Sequence, residues 1–95
     1  MKQDIELYSN PNQVYKNAVE LLGNDVDIRF STRKDKKYMV LNPYTNKWVH
    51  FGQMGFEDYT KHKDDIRRHK FIIRNNKWLK ADEYTPAYLS IYLLW

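Results

Sequence analysis

Cysteine is missing from the 95 residues, which excludes disulfide staples, thiol catalysis and thiolate metal sites together. Its absence fits a reducing compartment. The only glycines are Gly23, Gly52 and Gly55, so no phosphate-cradling glycine loop exists, and Gly52-Gln53-Met54-Gly55 reads as a backbone bend. No repeat, low-complexity tract or Gly/Ser- or Pro-rich linker divides the chain. The longest apolar stretch, Tyr88 to Trp95, is too short to span a bilayer and carries Ser90, and Met1 to Asn10 holds no apolar signal core. The expectation is a soluble chain with no membrane role.

Aromatic residues are plentiful at 16%, with eight Tyr, four Phe and three Trp. They can supply much of a buried core despite a mean hydropathy of -0.83. Ninety-five residues give room for one domain, 1–95. The net charge is +4 and unevenly placed. Residues 1–30 carry three positive and five negative side chains, residues 31–80 thirteen and five, and residues 81–95 none and two. The middle of the chain is therefore strongly basic, which points to one basic face and an acidic partner.

Asn10 is a good N-cap, Pro11 suits the first helical position and Gln13 the capping-box site. Val14, Ala18, Leu21 and Leu22 then form one amphipathic face, and Gly23 stops the helix. Val26, Ile28 and Phe30 alternate with polar residues as a half-buried strand does. A polar turn, Arg33 to Lys36, leads to a second strand at Tyr38 to Leu41. Asn42 to Asn46 reads as a turn, and Trp48 to Phe51 as a third strand closed by Gly52. Lys63 to Asn75 has helical composition, and Thr85-Pro86 starts a last helix that runs to Leu94. The expected fold is α+β, a small antiparallel three-stranded sheet with about three helices packed on it. Residues 1–37 supply the first helix and strand, and residues 38–95 the rest. In the last helix Tyr88, Ile91, Tyr92 and Trp95 share a face, with Leu89 and Leu93 partly off it, so the segment is expected to be well buried.

The most informative segment runs from Asp58 to Arg74. On a helical wheel Lys63, Arg67, Lys70 and Arg74 form one cationic stripe, Ile66, His69 and Ile73 lie near the other side to pack inward, and Asp64 and Asp65 occupy the first turn, where the helix dipole favours them. Such a helix separates a core face from a face that can track phosphates. Lys34, Lys36 and Lys37 of the first hairpin extend the patch, as do Lys61, Lys77 and Lys80. The bland alternative is a solvated helix with local ion pairs. Tyr44, Trp48, Tyr59 and Trp78 are candidates to stack on bases. Trp48 is better read as core, and Tyr44, in a turn, as the exposed one. No helix-turn-helix, zinc-finger or RNA-recognition signature is visible, so backbone contact without sequence preference is the expected mode.

His50, His62 and His69 are spaced by twelve and seven residues, which matches no compact ligand motif. Asp58, Asp64 and Asp65 could join them in a metal-dependent nuclease. Ser9, Ser31 and Ser90 lie in no nucleophile-elbow context. The expectation is a protein that is not an enzyme and holds no cofactor or metal.

The run Val40 to Gly52, then Gly55 to Asp64, Arg67 to Arg74 and Thr85 to Trp95, resembles an uncharacterised family of short proteins from nucleocytoplasmic large DNA viruses. The shared pattern is an Asn-Pro-x-Thr turn, a His-Phe-Gly strand end, an Asp-Tyr-Thr-x-His-x-Asp block, an Arg-rich helix and a closing Leu-Leu-Trp. Asn42, Thr45, His50, Gly52, Asp58, Tyr59, Thr60, His62, Asp64 and Arg67 match it. It spans roughly residues 38–95 and leaves 1–37 outside. Asn46 stands where the pattern has glycine, a position a left-handed Asn accepts. The resemblance implies viral origin and a place in the virion or the viral factory of the host cytoplasm, and it carries over no catalytic residue. The polar Asp58-Tyr59-Thr60-His62-Asp64 block reads either as a site or as an internal hydrogen-bond network, with the network favoured for Asp58, Thr60 and His62.

Three readings follow. The leading one is a non-catalytic basic viral protein that binds nucleic acid through backbone phosphates. A structural or interaction protein, such as a minor capsid or core component, is the second. Its support is the aromatic richness and the apolar C-terminus, which could dock on a viral structural protein or form a homodimer. A small nuclease using Asp58, His62 and Asp64 is the third.

Overall fold

A computed structural model describes residues 2–95. These residues form five α-helical segments and three strands: α1 (Ile5–Tyr8), α2 (Pro11–Leu22), β1 (Ile28–Phe30), β2 (Lys36–Asn42), β3 (Lys47–Gln53), α3 (Tyr59–His62), α4 (Asp65–Arg74) and α5 (Pro86–Leu89). A 3-10 turn, Asn76–Trp78, follows α4, and a π turn, Ser90–Leu94, continues α5. The strands form one antiparallel sheet in the order β1-β2-β3. The α+β class and the three-stranded sheet are as expected. The additional helices, α1 and α3, are single turns too short to leave a periodic signature.

The sheet forms where β-branched and aromatic residues can pair across strands. Phe30 pairs with Tyr38, and Tyr38 with Phe51, their rings 6.0 and 5.9 Å apart. Val40 lies between Ile28 and Val49. The core gathers Ile5, Val14, Ala18, Tyr38, Val40, Phe51, Leu89, Leu93 and Leu94, each large side chain contributing roughly 1.5–3 kcal/mol on burial. Trp48, expected in the core, is only half buried and carries the Arg29 guanidinium 5.1 Å from its ring. β3 does not close at Gly52 but runs through it. Gly52 has φ 82°, and a Cβ there would lie 2.9 Å from Leu94 Cδ1 and 3.1 Å from Lys37 Cβ, so the close approach of the last turn to the sheet requires glycine.

The predicted caps form. Asn10 Oδ1 accepts from the Gln13 amide at 3.3 Å, and Thr85 Oγ1 from the Tyr88 amide at 3.3 Å. The capping-box return bond is replaced, because the Asn10 amide donates to Thr60 Oγ1 at 2.9 Å and ties α2 to α3. The last segment is well buried as expected, through Leu89, Ile91, Leu93 and Leu94; of the expected face Ile91 is buried, Tyr88 and Trp95 are half buried and Tyr92 is exposed. Its i→i+5 winding returns Leu94 toward the side of Leu89. Asn17 Nδ2 donates to the Leu93 carbonyl at 2.9 Å, supporting the irregular turn. This apolar segment is thus consumed by the protein's own core.

Candidate functional site

The Asp58–Arg74 segment divides differently from its helical wheel. Lys63 is not on the helix. It sits in a left-handed conformation, φ 54°, between α3 and α4. Asp64 is the N-cap rather than a first-turn residue, its carboxylate accepting from the Ile66 and Arg67 amides at 3.0 and 3.2 Å. The expected inward face is reversed. Ile66 and Ile73 are 70% and 58% exposed and His69 is exposed, whereas Phe71 and Ile72 are half buried. The reason is long-range. Phe71 stacks on Trp95, centroids 4.2 Å apart and planes 5° apart, and Arg68 Nε donates to the Trp95 main-chain oxygen at 2.7 Å. These contacts roll the helix so that Arg67, Lys70 and Arg74 face a cleft beside the sheet.

That cleft, about 560 Å³, lies between α4, the β2–β3 edge and the last helix. Lys36 lines the opposite side from β2, and Phe56, Phe71, Pro86, Ile91, Leu94 and Trp95 supply an apolar lining. Glu57 is its acidic residue and lies 3.8 Å from Arg67, with both side chains partly exposed. Such a pair in solvent contributes about 0–1 kcal/mol and leaves the guanidinium available. The lining therefore presents four cations, the exposed Arg67, Lys70 and Arg74 and the half-buried Lys36, against one carboxylate.

Lys37 must be withdrawn from the basic patch. It is 2% exposed, and its ammonium lies 3.1 Å from Asp58 Oδ2, 2.6 Å from the Phe56 carbonyl and 3.4 Å from the Tyr8 carbonyl. Burial pushes its pKa down, and the Asp58 charge opposes that shift. An isolated buried ammonium would be costly, so the three acceptors are what permit it. Asp58 Oδ1 accepts from the Thr60 hydroxyl. With that proton committed, Thr60 Oγ1 accepts from Ser9 Oγ at 3.2 Å, and Ser9 Oγ from the Tyr38 hydroxyl at 2.8 Å. Burial raises the Tyr38 pKa well above the ordinary tyrosine range. Tyr38, Ser9, Thr60, Asp58 and Lys37 thus form one satisfied network that joins α1, β2 and α3. For Asp58 and Thr60 the polar block is an internal scaffold beneath the cleft.

The remaining predicted residues are dispersed. Lys34 is exposed in the β1–β2 turn and Lys61 on α3, and Lys61 and Lys63 line a separate shallow hollow with Ser9 and Asn10. Lys77 and Lys80 are exposed outside the cleft lining, Lys77 lying 5.0 Å from the Trp78 ring. Tyr44 is 87% exposed as expected, but it meets Tyr84 edge-on at 6.1 Å and does not line the cleft. His50 Nδ1 shares a 2.6 Å hydrogen bond with Ser31 Oγ, and His62 Nδ1 accepts from the Asp64 amide at 2.9 Å. Among the described residues no three His, Asp or Glu side chains gather as a metal site. Phe56, Phe71 and Trp95 were not legible as cleft residues. The available signal was Phe56 itself, an apolar residue between Gly55 and Glu57 with no periodic partner.

No curated protein and no solved structure matches the chain. The model of a family of unknown function, DUF5754, matches residues 26–75, which run from the start of the sheet through α4 and include Lys36, the Lys37–Asp58 pair, Phe56 and the three cleft-facing cations of α4. The match covers just over half of the sequence, and the chain belongs to this family.

Proposed function

We propose that the protein is a non-catalytic, sequence-independent nucleic-acid-binding protein whose contact surface is the cationic cleft. The observation that carries this reading is the convergence of Arg67, Lys70 and Arg74 with Lys36 of another element on one cleft with a single carboxylate. Cations from two sides can hold successive phosphates, which is where most sequence-independent affinity arises. The expected setting is a viral one, the virion or the viral factory. Binding of labelled DNA across a salt series tests the reading. Affinity should fall steeply with salt and be lost in an Arg67/Lys70/Arg74→Ala variant, while Lys63→Ala binds nearly as wild type. No binding by the wild-type protein at low salt contradicts it.

A protein-interaction reading draws on the outward-facing Ile66 and Ile73 of α4. It predicts association that persists at high salt and is lost on Ile66→Ser/Ile73→Ser.

A further inference from the structure

Phe56 is 68% exposed on the cleft lining, although its backbone is held firmly. The buried Lys37 ammonium donates to its carbonyl at 2.6 Å, and two residues later the Asp58 amide donates to the Tyr8 carbonyl at 2.9 Å. The preceding Gly55 has φ 92°, so the chain turns sharply into this position. A backbone held at these points therefore presents an aromatic ring to solvent on the cleft that Lys36, Arg67 and Lys70 also line. Exposing a phenyl ring gains nothing by itself, and a purely phosphate-binding surface has no use for one.

From this, and resting on the nucleic-acid reading, we infer that the cleft takes single-stranded nucleic acid, with a base on the Phe56 ring and the flanking phosphates on the α4 cations and Lys36. A duplex turns its base faces inward and meets the protein as a stiff convex rod, so it can touch the rim cations but cannot offer a base to the ring. An unpaired strand offers both, and stacking is indifferent to base identity because every base has a π face. The cleft volume of about 560 Å³ is in the range that encloses small ligands, roughly 300–1,000 Å³. Phe71 gives one ring face to Trp95 and stays half buried, which leaves Phe56 as the free platform.

The test measures binding of fluorescein-labelled oligothymidylate and of a duplex of equal length, at matched low salt, to wild type, Phe56→Leu and Phe56→Trp. Circular dichroism confirms folding, which the exposed position preserves. Expected are tighter binding of the single strand, an approximately tenfold loss of it in Phe56→Leu, recovery in Phe56→Trp and no change for the duplex. Equal duplex affinity with an inert Phe56→Leu overturns the single-strand inference and leaves the phosphate reading standing. No binding of either DNA, or equal displacement by an acidic peptide of matched charge, overturns both.

Discussion

The Lys37 ammonium lies 3.1 Å from the Asp58 carboxylate, with both side chains almost wholly withdrawn from solvent. It also holds the Phe56 carbonyl at 2.6 Å. One cation of a basic hairpin thus serves as an internal post, and the segment it fixes borders the cleft where the remaining cations gather. The consequence is a division of labour within a short stretch of sequence. Lys37 organises the surface, and its neighbour Lys36 is part of it.

Removing one partner of this pair leaves the other buried and uncompensated. Lys37→Met and Asp58→Leu should each cost about 3–5 kcal/mol, and the double variant much less than their sum. Urea unfolding followed by tryptophan fluorescence measures this. Additive losses, or single losses of a few tenths of a kcal/mol, would show that the pair is not coupled.

Stability should fall on mild acidification. His50 and His62 both have pKa values below the ordinary histidine range, chiefly through burial, with Arg33 the next cause for His50 and Arg67 for His62. Glu57, Asp64 and Asp58 oppose the shift at His62, and Asp35 opposes it at His50. With the folded pKa depressed, the unfolded chain takes up protons first as pH falls. Stability is therefore full above about pH 6.5 and declines below it until the folded pKa values are passed. At His62 the event is local, because a protonated Nδ1 cannot accept from the Asp64 amide at the start of α4. Urea midpoints between about pH 7.5 and pH 5 should drop, and a His50→Asn/His62→Asn variant should flatten the curve. A wild-type midpoint that does not change over this interval refutes the assignment.

α4 has no buried residue and is fastened through Phe71 and Arg68 to Trp95. Trp95→Ala removes a stacked pair worth about 0.5–1.5 kcal/mol beyond its area. Amides of α4 should exchange several-fold faster in this variant, while those of β2 remain protected. Uniform loss of protection across both elements would show that Trp95 supports the whole fold rather than the helix.

Glu57 opposes the cleft cations from within. Glu57→Gln should tighten oligonucleotide binding a few-fold at low salt and change stability by less than about 0.5 kcal/mol. Fluorescence anisotropy and urea unfolding read the two effects. Weaker binding in this variant would mean that Glu57 positions Arg67 for the ligand.

The elements governed by local chemistry were legible in the sequence. Asn10-Pro11 and Thr85-Pro86 start helices because a side-chain oxygen and a preset φ satisfy the first turn wherever they occur. The alternation at Ile28 and Phe30 marked a strand because its pairing residues, Val40 and Tyr38, are equally apolar. Asn46, at φ 60°, adopts the left-handed turn expected of it. What was not legible depended on distant partners. Lys37 occupies a strand position that reads as surface, and only Asp58, Phe56 and Tyr8 bury it. The α4 wheel has apolar residues on more than one side, and the Phe71–Trp95 stack decides which side turns inward. The cationic stripe was therefore readable for Arg67, Lys70 and Arg74. Its apolar lining was not, since Phe56 and the last-helix residues Pro86, Ile91, Leu94 and Trp95 share no period with the stripe.

Occupation of the cleft by nucleic acid is read out residue by residue when amide chemical-shift changes are mapped on titration with a short oligothymidylate. The largest changes are expected at Lys36, Phe56, Glu57, Arg67, Lys70 and Arg74, with Lys34, Tyr44, Lys61 and Lys80 nearly still. Changes centred on Tyr44 or on the Lys61–Lys63 hollow, with the cleft residues unmoved, would contradict it.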